Sequence, residues 1–182
     1  MENVVLKIVE DVLNEDVIIP DDVPTIDLYM DQLITLLERK MNVSDNEKTI
    51  TKAMINNYSK AKIINPIKGK TYSKERIMQI LMISTLKNSL NMQQMKTVMQ
   101  TMYQDLALDE EGFVSIYRRY LEYREKEKLF FPSAIESTLS EYDTSNKEDV
   151  FTILLCICAM SEQLSKVADK LVSTYFDNTN EG

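Results

Sequence analysis

Asn56 and Asn57 stand side by side in the segment 50–60, among Thr51, Lys52 and Lys60. A primary carboxamide can donate to N7 and accept from N6 of adenine at once, so two of them on an exposed helical face are equipped to read bases in a major groove. Thr51 at a helix start and the ammonium groups of Lys52 and Lys60 suit phosphate oxygens, which fix a protein on a duplex without telling sequences apart. Lys62, Lys68, Lys70, Lys74 and Arg76 follow and extend that phosphate chemistry downstream. Thr51, Lys52, Asn56, Asn57, Lys60, Lys62, Lys68, Lys70, Lys74 and Arg76 are therefore the candidate DNA contacts. Other chemistry is thinly supplied. The chain has no histidine, three glycines to build phosphate loops, and no nucleophile beside an evident base, so it reads as a non-enzyme needing no cofactor.

The distribution of charge points the same way. Residues 48–100 hold ten Lys and Arg against one acid, Glu75, whereas residues 1–47 carry a net −9 and residues 101–182 a net −8, leaving −8 for the whole chain. A polyanion would meet a local positive field inside a molecule it should otherwise avoid. Tyr117, Tyr120 and Tyr123 with Arg118, Arg119 and Arg124 look at first like a second nucleic-acid surface. Glu122, Glu125 and Glu127 interleave and cancel that charge, so this stretch reads as a structural amphipathic helix.

Elements must position these residues. Three glycines and four prolines leave few tight turns, and Leu, Met, Lys, Glu and Gln recur throughout, so the chain is expected to be mostly helical. Val4, Val5, Ile8, Val9, Val12 and Leu13 predict a first helix over 3–14. A second is expected after Pro24, with Thr25 as cap and a stripe from Ile26 to Met41, followed by a polar loop over 42–47. In the third, 50–60, Ile50, Met54, Ile55 and Tyr58 face inward and Thr51, Lys52, Asn56, Asn57 and Lys60 outward. Residues 63–72 read as two brief strands or one small wing. Ser73 then caps a helix to about Asn88 that is buried on several sides, and Asn91 with Gln94 forms a capping box for the next. Phe113, Ile116, Tyr117, Tyr120 and Leu121 mark a further helix. Ser133–Glu136 and Ser145–Glu148 each have the Ser-x-x-Glu form that opens a helix, the second running to about Tyr175.

Met92, Met95, Met99 and Met102 lie at helical spacing, which marks core more than an adaptable pocket. Cys156 and Cys158 are two apart on one helix and cannot close an ordinary disulfide. Without histidine or a Cys-x-x-Cys spacing they read as buried, inert thiols and not as metal ligands, and a reducing cytoplasm is the expected compartment. The N-terminus lacks the basic region of a secretory signal, and the longest apolar stretch, 151–160, spans about half a bilayer-crossing helix. No membrane span is expected.

Thr51-Lys52-Ala53-Met54-Ile55-Asn56-Asn57-Tyr58-Ser59, then Ile63-Ile64-Asn65-Pro66, then Tyr72-Ser73 and Leu90-Asn91-Met92-Gln93-Gln94-Met95-Lys96 resemble the winged helix-turn-helix of MerR-type transcription regulators. The stretch from Asp27-Leu28-Tyr29-Met30-Asp31-Gln32 to about residue 130 is also similar to an uncharacterised bacterial family filed as a domain of unknown function, whose members share that segment. Asn56 stands where the regulators carry Arg, Lys62 where they carry Gly, and 66–72 is shorter than their wing. The resemblance implies a mostly α protein, with a MerR-like winged helix-turn-helix core and additional N- and C-terminal helices. It divides the chain into an N-terminal helix and linker (1–24), the DNA-binding region (25–106) and a helical extension (107–182). It implies double-stranded DNA as partner, by analogy of fold. The helix from Asn146 supplies a dimer interface or folds back on its own domain. The reading that results is a DNA-binding regulator acting by site occupancy as a homodimer. Its alternative is a helical adaptor whose basic patch takes an acidic partner protein.

Overall fold

The computed structural model describes residues 4–40, 50–66 and 69–177. Met41, the loop 42–49 and Lys68 lie outside them. The described chain is mostly helical, with a two-stranded sheet. In order it forms α1 (Val4–Leu13), a 3-10 turn (Pro20–Asp22), β1 (Leu28–Tyr29), α2 (Met30–Lys40), α3 (Lys52–Lys60), β2 (Thr71–Tyr72), α4 (Lys74–Leu86), α5 (Met92–Gln100) continued by a π turn (Thr101–Asp105), α6 (Glu110–Leu139) and α7 (Lys147–Tyr175).

Contacts divide the chain into two compact units. Asp16–Arg119 with Ala168–Gly182 is the larger. Its core is filled by Leu33 and Leu37 of α2, Ile55 of α3, Ile63 and Ile64 after it, Ile77, Ile80 and Ile83 of α4, and Phe113 of α6, each 1% exposed or less. Met95 and Met99 join that core, whereas Met92, expected there with them, is exposed. The other unit, Met1–Glu15 with Tyr120–Val167, is held by Val9 and Leu13 of α1 against Ile135 and Leu139 of α6 and Ile153 of α7.

Five expectations are corrected. Among the described residues of 63–72 there is one strand, β2, and no hairpin wing. β2 pairs antiparallel with β1, Leu28 opposite Tyr72 and Tyr29 opposite Thr71, because Leu28 and Tyr72 are both buried and the ladder satisfies backbone groups next to them. That ladder delays the start of α2 to Met30, so Thr25 caps nothing there. Ser133 opens no new helix. α6 runs through Pro132, although an interior proline removes a hydrogen bond at a cost of about 3 kcal/mol. Burial of Ile135 and Leu139 in the same core as α1 offsets it. Finally, Cys158 is exposed and Cys156 only half-buried. The start of α7 is held by Asn146, whose Oδ1 accepts from the Glu148 N–H at 3.0 Å, one residue beyond the expected Ser145. By length and composition α7 could cross a membrane, and 6% of its apolar window is buried within the chain.

Candidate nucleic-acid interface

Three features seat α3. At its start Thr51, with φ −91° and ψ 160°, turns its hydroxyl oxygen to accept the Met54 N–H at 3.2 Å, so this residue is a helix cap. Along its length Ile55 and Tyr58 are buried, 0% and 5% exposed, while Asn56, Asn57 and Lys60 are exposed. Helical spacing puts those three on one side. At its end the Ile63 N–H reaches the Tyr58 carbonyl at 2.9 Å and the Lys62 N–H reaches Ser59 at 3.1 Å. Lys62 sits between them at φ 57°. This is a Schellman closure with lysine at the position glycine usually takes. The Lys62 carbonyl in turn accepts from the Tyr103 hydroxyl at 2.6 Å.

The chain leaving α3 is fastened to α4. Gln79, fully buried, accepts the Asn65 N–H at 2.8 Å and donates to Glu75 Oε1 at 3.1 Å. That same carboxylate oxygen takes the Asn65 amide at 2.9 Å. Arg76 closes the clasp from the other side, donating to the Asn65 carbonyl at 3.2 Å, the Pro66 carbonyl at 2.7 Å and the Ser73 hydroxyl at 3.3 Å. A positional error near an ångström spoils a bidentate base contact, so this bracing bears directly on what α3 can do. Burial pushes the phenols of Tyr58, Tyr72 and Tyr103 above the ordinary tyrosine range.

The ten candidate contacts are thus not equivalent. Asn56, Asn57, Lys60, Lys62 and Lys70 are exposed, and Lys74 is half-buried. Thr51 is a cap and Arg76 a brace. Lys52 is exposed but paired with Asp31 at the start of α2, and Asp27 accepts from the Thr71 hydroxyl at 3.1 Å. Folding therefore brings two acids of the negative N-terminal stretch onto the cationic window, which charge counting along the chain does not register. Asn65, Glu75, Gln79 and Tyr103 are what the sequence reading missed. Gln79 carried a signal, being a long polar side chain in a helix apolar on nearly all sides. Among the described residues no group of His, Cys, Asp and Glu could hold a metal ion.

The sequence profile of DUF1836, a domain of unknown function, matches residues 18–120, which takes in α2 to α5 and all of the bracing just described. The chain belongs to the DUF1836 family. No curated protein and no solved structure matches it. Every residue of the α3 seat, from Thr51 to Tyr103, falls inside the DUF1836 segment, whereas α1 and α7 lie outside it.

Proposed function

We propose that this DUF1836 protein is a cytoplasmic DNA-binding transcription regulator acting by site occupancy. Its α2 and α3 form a MerR-like helix-turn-helix, and α3 enters the major groove. The observation that carries the reading is a helix capped at one end and closed at the other, buried through Ile55 and Tyr58, that turns Asn56, Asn57 and Lys60 outward. Asn56 and Asn57 read base edges, and Lys60, Lys62 and Lys70 hold phosphates. A two-fold dimer presents two such helices to successive major grooves of a pseudo-palindromic site. Arg76 and Thr51 serve this arrangement from behind by fixing the helix.

Selection of bound fragments from random double-stranded DNA with the full chain tests the proposal. A recovered consensus should bind with an affinity whose logarithm falls by about 0.9 per neutralised phosphate for each unit of log salt. Lys60→Glu and Lys70→Glu should weaken all sequences alike, whereas Asn56→Ala should blur one position. A flat salt response, or selective capture of an acidic protein by the Lys60–Lys70 surface, overturns it in favour of the adaptor.

A further inference from the structure

An open cavity of about 220 Å³ lies where α1, the end of α6 and the start of α7 meet. Val5, Leu6, Ile135, Leu139 and Ile153 form its apolar floor, and the last three are buried in the core that α1 shares with α6 and α7. Its rim is exposed and acidic. Glu136 and Asp143 line it, and from Ser133 to Asp149 five acids stand against one base, Lys147. The two rim carboxylates are not alike. Asp143 is tied to its own loop, accepting the Ser145 N–H at 2.9 Å and the Ser145 hydroxyl at 2.8 Å, whereas no side-chain partner engages Glu136 among the described residues. The Glu141 carboxylate raises the Tyr142 phenol above its ordinary range, which marks a negative field along that rim. The wall of the cavity is itself uncovered on one side. Val5, Val9 and Leu13 of α1 pack toward the core, but Val4, Ile8 and Val12, spaced by four, stay more than half exposed and form a second apolar ridge on the same helix.

We infer that this cavity is the docking groove for a basic amphipathic helix of another protein, which seats one apolar side chain on Ile135, Leu139 and Ile153 and sets a lysine or arginine against Glu136. Size selects a side chain. The cavity falls below the roughly 300–1,000 Å³ of pockets that enclose a drug-sized molecule. A small molecule held there would also leave the ridge of Val4, Ile8 and Val12 in water, whereas a helix laid along α1 covers it. Charge selects the partner. Residues 1–15 and 120–167, the compact unit that contains the cavity, carry thirteen acids and six bases, a net −7. A second copy would bring that same −7 against itself, and an anionic bilayer or a nucleic acid would meet the same repulsion. A cationic helix is attracted instead.

The cavity lies outside residues 18–120 and the inference does not depend on DNA, so it and the proposed function fail separately. The probe is a fluorescent leucine–lysine amphipathic peptide about two heptads long, titrated with the full chain and read by anisotropy. It should saturate at one peptide per chain, its leucine–glutamate counterpart should not bind, and the methyl resonances of Ile135, Leu139 and Ile153 should shift. Glu136→Lys should weaken the peptide about 10-fold. Ser140→Trp, which puts an indole at the cavity lining without changing charge, should weaken it as much. Glu122→Lys, the same charge change elsewhere on α6, should alter affinity no more than about two-fold. All three positions are exposed, and an unchanged far-ultraviolet circular dichroism spectrum verifies the fold of each variant. Absence of saturable binding overturns the inference, as does equal weakening by Glu122→Lys and Glu136→Lys or an affinity untouched by Ser140→Trp. So does hexylammonium filling the cavity as tightly as the peptide, a dimer that Ser140→Trp dissolves, or capture by phosphatidylcholine vesicles that Ser140→Trp abolishes.

Discussion

Lysine at φ 57° closing α3 gives a prediction that separates backbone from charge. An L-residue in the left-handed region costs about 1–2 kcal/mol, and glycine there escapes that cost while losing roughly 0.4–1 kcal/mol through its freer unfolded chain. Lys62→Gly should therefore stabilise the protein by about 0.5–1 kcal/mol. Lys62→Ala, which keeps a Cβ in the same conformation, should change stability little. The Lys62 ammonium is exposed, and its carbonyl, held by Tyr103, survives both substitutions, so nothing else differs between the two variants. Urea unfolding followed by circular dichroism reads the difference, as does a melting-temperature gain of about 1–4 °C for a chain of this length. Both variants remove one cation and should lose DNA affinity equally, each shallowing the salt slope by about 0.9. A glycine variant no more stable than the alanine variant would refute the left-handed Schellman closure of α3 at Lys62. If their DNA affinities differ, Lys62 acts through more than its charge.

Tyr103→Phe removes the hydroxyl that holds the Lys62 carbonyl and should cost about 1 kcal/mol in urea unfolding; no loss would mean that the bond is idle. Asp31→Asn releases Lys52 and, on the proposed function, should steepen the salt slope of DNA binding by about 0.9 while changing stability by no more than about 1 kcal/mol. An unaltered slope would show that Lys52 faces no phosphate. The Asp143 carboxyl lies below its ordinary range, first through the backbone N–H of Ser145 and then through the Ser145 hydroxyl. Because the folded value is depressed, the stability it contributes is full above the unfolded carboxylate value and is lost as pH falls through the folded one. Ser145→Ala should move the Asp143 titration part-way back up by NMR, and an unmoved curve would exclude the hydroxyl.

Local, periodic signals were legible in the sequence. The inner and outer faces of α3 followed from Ile50, Ile55 and Tyr58 at helical spacing, and the cap of α5 from Asn91 and Gln94, whose reciprocal bonds span 2.9–3.0 Å. The pairing of β1 with β2 was not legible, because two residues per strand carry no alternation and their partners are distant along the chain. Pro132 misled for a related reason. A breaker and a Ser-x-x-Glu box are local features, whereas the burial of Ile135 and Leu139 that keeps α6 continuous is tertiary. The candidate site divided along the same line. Exposure of Asn56 and Asn57 was readable, but the acids brought to Lys52 and Thr71 belong to segments far upstream.

The antiparallel ladder also has a modular consequence. Leu28 and Tyr72 are cross-strand neighbours, so the polypeptide between them departs from and returns to one spot, with α2 and α3 as its cargo. Yet the stretch is no free-standing insert: the Lys62 carbonyl and Asn65 within it are held by Tyr103, Gln79 and Arg76 beyond its return point, so exchanging it between relatives calls for carrying α4 and Tyr103 along.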